Sequence, residues 1–137
     1  MDAPDLRPAV AADVPAVLTL WREAAAPTST DTEPAVAALL ARDPGALIVA
    51  DAGGEVVGTV IAGWDGWRGS VYRLAVAPAH RRRGLGARLL HAAEHRLHGL
   101  GGRRLHAIVV GGDERAVAFW EATDWVYQPG QLRYTTG

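Results

Sequence analysis

Between Ser70 and Val110 the chain reads strand, basic glycine loop, long helix, strand. No other feature limits its possible folds as tightly. Ser70 to Val76 is a short apolar run ended by Pro78, and Leu105 to Val110 is a second one. Between them, Leu85, Leu89, Ala93 and Leu97 recur at helical spacing, so a helix is expected from about Gly84 to Leu97, stopped by Gly99, Gly101 and Gly102. Two strands joined through a helix of that length lie parallel with a right-handed crossover. Upstream, Leu47–Ala52 and Val56–Trp64 flank Gly53-Gly54, a two-residue turn signal that predicts an antiparallel hairpin. The two units together require a mixed sheet with helices on its faces.

The flanking segments add to the same sheet. Leu6 to Val10 reads as a first strand. Asp13 is placed as an N-cap, and Val14, Val17, Leu18 and Trp21 predict a helix running to about Ala25. Pro27 to Asp31 reads as a loop. Thr32 caps a second helix carrying Val36, Leu39 and Leu40, which Asp43-Pro44-Gly45 stops. A further helix spans about Glu114 to Thr123, with short strands expected near Trp125–Tyr127 and Leu132–Tyr134. The expected class is α/β (α+β): a mostly antiparallel mixed sheet, a parallel pair formed by its fourth and fifth strands, and about four helices. At 137 residues a single domain, 1–137, is expected.

Composition excludes several chemistries. There are 14 basic residues, all Arg, against 15 acidic ones, for a net charge of −1, so no whole-domain positive field exists to hold nucleic acid. Cysteine is absent, which excludes disulfides, thiolate zinc sites and a cysteine nucleophile. The acidic start, Met1 to Asp5, does not read as a signal peptide, and no apolar run nears the ~18 residues of a membrane span. A cytoplasmic protein with no membrane partner is expected. His91, His95 and His98 share one helical stripe, but it lies opposite the apolar stripe of Leu85, Leu89, Ala93 and Leu97 and should face solvent, so no metal site is expected.

The chemistry concentrates in the loop before the crossover helix. Arg81-Arg82-Arg83-Gly84-Leu85-Gly86 leads from strand into helix. The first turn of a helix offers unpaired N–H groups and a partial positive charge, which suit a phosphate. Gly84 and Gly86 let a ligand approach the backbone, and the arginines add charge-assisted donors. A nucleotide P-loop would need Lys, and the dinucleotide fingerprint would need Gly where Leu89 stands.

Arg-x-x-Gly-x-Gly after a strand reading Leu74-Ala75-Val76-Ala77-Pro78 resembles the acetyl-CoA-binding signature of the GNAT family of N-acetyltransferases. Asp113 to Trp125, with Ala116, Phe119 and Trp120, is similar to the family's second signature in altered form. The order of elements also agrees over most of the chain. The resemblance implies the family fold, with the parallel pair splayed apart and the thioester of acetyl-CoA in the gap. It implies direct acetyl transfer to an amine-bearing acceptor, without an acyl-enzyme. Carried over by position, the pyrophosphate falls on Arg81, Arg82, Arg83, Gly84, Leu85 and Gly86, and the pantetheine and thioester carbonyl on Leu74, Ala75 and Val76. Asp113 and Trp120 become further cofactor contacts.

Two departures shape the catalytic reading. Where the family often has a tyrosine that protonates the leaving thiolate, this chain has Trp120, which leaves Tyr127 as a candidate acid. Where the family often has a carboxylate on the strand before Leu74, this chain has Tyr72 and Arg73. Asp65 is then the first candidate base, with Glu23 and Asp31 behind it. Trp64, Trp67, Arg68, Tyr72 and Arg73 gather around one turn as candidate acceptor contacts, and the arginines there would favour a carboxylate-bearing acceptor. The alternative is a non-catalytic acyl-CoA-binding or regulatory module on the same fold, and a third reading, a phosphate- or nucleic-acid-binding domain, is opposed by the net charge. Monomer and homodimer are both open.

Overall fold

The structure, a computed structural model, describes residues 3–137. Met1 and Asp2, read above as part of an acidic start, lie outside them. The chain divides into two compact units, one ending at Ala107 and the other comprising Ile108–Gly137.

The first unit holds a five-stranded sheet in the order β1-β2-β3-β4-β5. Its strands are β1 (Asp5–Pro8), β2 (Leu47–Ala52), β3 (Glu55–Trp64), β4 (Gly69–Val76) and β5 (Leu105–Ala107). Neighbouring strands are antiparallel except β4 and β5, which are parallel. The helices are α1 (Val14–Ala24), α2 (Glu33–Arg42) and α3 (Leu85–Gly99), and the second unit contributes α4 (Glu114–Glu121). The mixed sheet and four helices among the described residues agree with the expected class.

Several local predictions need correction. Asp13 stands at the N-cap position of α1, as expected, but its side chain makes no cap hydrogen bond to that helix. Its carboxylate accepts the Val10 amide at 2.7 Å and closes a 3-10 turn, Ala11–Asp13, that precedes the helix. Arg7 reaches the same carboxylate at 2.8 Å, which holds Asp13 below the usual carboxylate range. β1 ends at Pro8 rather than Val10, and β5 ends at Ala107 rather than Val110, where its ladder with β4 stops. No strand forms at Trp125–Tyr127 or Leu132–Tyr134, and Val126, Tyr127, Leu132 and Tyr134 are all exposed. Aromatic and β-branched residues favour a strand only where a ladder and a packing surface exist. Thr32 does cap α2, accepting the Ala35 amide.

Both faces of the sheet are covered. Val14, Val17, Leu18 and Trp21 of α1 and Val36 of α2 pack with Leu47, Val49 and Ala75 on one face. On the other, Leu89, Ala93 and Leu97 of α3 are fully buried. Each large aliphatic side chain so buried contributes about 1.5–3 kcal/mol. Gly69 is needed for this packing, because a Cβ there would lie 2.6 Å from Leu105 Cδ2 and 2.9 Å from Leu97 Cδ1. No described helix is long and apolar enough to cross a membrane.

Candidate acyl-CoA site

β4 is the axis of the site. Its register with β3 runs from Trp64↔Gly69 to Ile61↔Tyr72, then resumes at Thr59↔Ala75, so Arg73 and Leu74 drop out of the ladder opposite Val60. Arg73 takes φ 51, a left-handed conformation rare for residues with a side chain. A buried relay holds this bulge. Trp21 Nε1 donates to Thr59 Oγ1 at 2.8 Å, and Thr59 Oγ1 donates to the Arg73 carbonyl at 2.8 Å. The Arg73 side chain turns away to the segment after α1. It pairs with Asp31 and donates to the Ala26 carbonyl at 2.7 Å and to Thr28 Oγ1 at 3.1 Å. The sequence offered no sign of this clamp, whose members lie 42 to 47 residues apart.

The ladder between β4 and β5 comprises only Gly69↔Leu105, Ser70↔His106 and Val71↔Ala107. The bulge and the Leu74–Val76 segment therefore lie beyond the stretch that β5 covers. After β4 the chain makes a short 3-10 turn at Pro78–His80 and then the arginine loop. Arg81 folds back, its Nε donating to the Val76 carbonyl at 3.2 Å. Arg82 and Arg83 are exposed, and Arg82 takes φ 64. Gly84 takes φ 75 at the N-cap of α3 and supplies no side-chain cap. The first-turn amides of α3 thus meet no capping side chain, and the adjoining arginines add positive charge. That arrangement suits a phosphate or pyrophosphate.

The expected acceptor cluster is spread along β4. Trp67 and Arg68 sit in the turn before Gly69, while the arginine loop follows Val76 at the other end, about 23 Å away at ordinary strand rise. Arg68 stacks over the Trp67 ring at 4.3 Å. These two line an open cleft of about 480 Å³ with Trp64, Leu100, Arg103 and Arg104. The cleft lies at the end of β4 away from the arginine loop, so it does not complete the phosphate site. Tyr72 is half-exposed in mid-strand. Arg73 is held by Asp31.

The candidate bases are likewise engaged. Asp65 Oδ1 accepts the Trp67 and Arg68 amides, each at 2.7 Å. The Arg68 amide first, then that of Trp67, holds this exposed carboxyl below its ordinary range, which makes it a weaker base. Asp31 serves the Arg73 clamp, and Glu23 is exposed on α1. His91, His95 and His98 are exposed on α3, and no three metal-ligating side chains among the described residues form a cluster.

The altered second signature, Asp113–Trp125, lies within the second unit. Asp113 caps α4 by accepting the Ala116 amide at 3.1 Å. Trp120 packs edge-on against Phe119, with centroids 5.6 Å apart, and against Trp125 at 4.9 Å. Tyr127 is exposed beyond these rings.

Residues 14–124 match the family described as Acetyltransferase (GNAT) family. An acetyltransferase of Sodalis glossinidius is 32% identical over 122 residues, which are 88% of this chain and 85% of that protein. An acetyltransferase of Photorhabdus laumondii is 42% identical over 74 residues, 53% of this chain, and the match spans only about half of that relative, 52% of its length. Among solved structures, an aminoglycoside 6'-N-acetyltransferase from Acinetobacter haemolyticus superposes with a TM-score of 0.79 at 16% identity, over 97% of this chain and 98% of that one, a likeness of fold. The family match covers the bulged strand, the arginine loop and all but the last residue of the second signature segment, and the chain belongs to the GNAT acetyltransferase family.

Proposed function

We propose that this chain is an acetyl-CoA-dependent N-acetyltransferase that passes the acetyl group directly to an amine. The observation that carries the reading is the uncapped N-terminus of α3 at Gly84, set by the arginine loop at the end of a strand that β5 covers only at its start. In this reading the α3 amides and Arg81–Gly86 hold the pyrophosphate of the co-substrate. The Leu74–Val76 backbone pairs with its pantetheine arm. A Leu74 amide outside the β3 ladder is available to polarise the thioester carbonyl, as a preorganised donor does for a developing oxyanion. Trp120 can donate a hydrogen bond but does not release a proton near neutral pH. A thiol with an ordinary pKa near 8.5 leaves without strong acid help.

The acceptor is an amine, and aminoglycosides belong in the first panel because a fold neighbour is named for them. Arg73 is engaged by Asp31, so selection of a carboxylate-bearing acceptor does not rest on it.

Calorimetric titration with acetyl-CoA, with CoA and ATP as controls, tests the reading on wild type and Gly84→Glu. Saturable acetyl-CoA binding, weakened at least about tenfold in the variant as a phosphate contact worth ~1.5–3 kcal/mol requires, is the expected result. No binding to wild type at millimolar acetyl-CoA overturns it. Binding without thiol release across the amine panel would instead favour a non-catalytic acyl-CoA-binding module.

A further inference from the structure

An amine with an ordinary pKa near 10 is protonated at neutral pH and must lose a proton before it can attack. The carboxylates that the sequence offered for that task are tied into the Asp65 turn and the Arg73 clamp or stand exposed on α1. A proton-accepting group also lies beside β4, on its parallel neighbour. His106 Nε2 of β5 is 2.8 Å from Ser70 Oγ of β4, across the middle pair of the short parallel ladder.

The faces can be assigned from the packing. A Cβ at Gly69 would run into Leu97 and Leu105, so residue 69 and Leu105 face α3. By strand alternation Ser70 and His106 face the opposite side, shared with α1 and the Arg73–Asp31 clamp. Tyr72 is next on that side, its ring 3.4 Å from where a Gly63 Cβ would be. Ser70 and Tyr72 thus follow one another toward the bulge at Arg73–Leu74, about 6.6 Å apart, and in the transferase reading water carries a proton over the remaining distance. The Ser70 hydroxyl meets the imidazole from β4, and the charge of the Asp65 carboxylate in the turn before β4 interacts with His106. Tyr72 lies two residues along β4 on the same face, and Arg104 immediately precedes β5.

We propose that the Ser70–His106 pair is the base of the transfer reaction, a proposal that rests on the transferase reading above. With Nε2 as acceptor, the Ser70 hydroxyl donates to the ring. The ammonium proton passes through water to Ser70 Oγ while the proton of Ser70 moves to Nε2, and the exposed imidazolium returns it to solvent. The freed amine lone pair forms the C–N bond at the thioester carbonyl, the C–S bond breaks, and the second nitrogen proton goes to sulfur. The products are amide, thiol and one released proton.

The test compares wild type with His106→Gln, Ser70→Ala and, as a control on an exposed α3 histidine, His95→Gln. Acetyl-CoA affinity is measured first by calorimetry and is expected to be equal in all four. Thiol release is then followed from pH 5.5 to 9, with an acceptor from the amine panel and with water alone. His106→Gln is expected to lower kcat about 10²-fold, within the range for general-base loss. It should leave KM for acetyl-CoA unchanged and erase the acid limb of the profile. Ser70→Ala should lose less and keep that limb, and His95→Gln should match wild type. Nitrogen NMR of the unliganded protein gives an independent readout: Ser70→Ala should shift the Nε2 resonance of His106 and not that of His95. A His106→Gln profile superimposing on wild type, with acetyl-CoA bound normally, overturns the proposal and spares the transferase reading. Wild type that fails to bind acetyl-CoA overturns both, and binding with no thiol release in either arm overturns the base.

Discussion

Thr59→Val removes one hydroxyl from a fully buried position and tests how the bulge in β4 is held. Thr59 is 0% exposed and Trp21 2% exposed. The substitution nearly conserves shape, so the expected loss is polar rather than a cavity. It strands the Trp21 Nε1 donor without its 2.8 Å acceptor and takes one donor from the Arg73 carbonyl. A buried donor left unsatisfied costs about 1–3 kcal/mol, while a carbonyl that keeps other lone-pair options adds less. We expect a loss of about 2–3 kcal/mol. With ~2.1 cal/mol/K per residue of unfolding entropy, 1 kcal/mol moves Tm by roughly 3.5 °C in a chain this long, so Tm should fall about 7–10 °C. Urea and thermal unfolding of wild type, Thr59→Val, Trp21→Phe and the double variant measure it. If the cost comes from the orphaned indole, Thr59→Val should be milder in the Trp21→Phe background by about 1 kcal/mol or more. Additive losses, or a Thr59→Val protein as stable as wild type, would refute the reasoning.

Two further predictions follow from the same contacts. The folded pKa of Asp13 lies below its unfolded value, chiefly through Arg7, so its contribution is complete above the ordinary carboxylate value near 3.9 and fades as pH falls through the lower folded one. Asp13→Asn should therefore flatten the acid side of a stability–pH curve, and unchanged slopes would count against the pair. Gly69→Ala should cost about 1–3 kcal/mol by overpacking against Leu97 and Leu105. Circular dichroism melts will show it, and a neutral result would mean that α3 can move aside.

The residues alone were enough for whatever depends on near neighbours. The Gly53-Gly54 turn, the Thr32 cap and the passage from β4 through the arginine loop into α3 each rest on backbone preferences within a few positions. Hence the hairpin, the parallel β4–β5 crossover and the arginine loop were legible, and the family resemblance rested on that segment together with Asp113–Trp125. Asp13 takes the N-cap position that its residue type favours, yet its carboxylate goes to the Val10 amide of the 3-10 turn and to Arg7 in place of α1. The aromatic tail reads as strand by propensity, yet a strand also needs a partner to complete its ladder, and propensity does not supply one. Other features were settled by contacts between distant positions. Arg73 looked like an acceptor ligand until Asp31 was seen to hold it. Asp65 is the local exception, its oxygen taken by the amides two and three residues on in its own turn. Ser70 and His106, 36 residues apart, became a pair only when β5 came to lie parallel beside β4. Local sequence determined the strand, the arginine loop and the uncapped start of α3 on which the proposed phosphate site rests. Which side chains remain available to move a proton was decided by tertiary structure, because hydrogen bonding between remote residues engages some groups and brings others together.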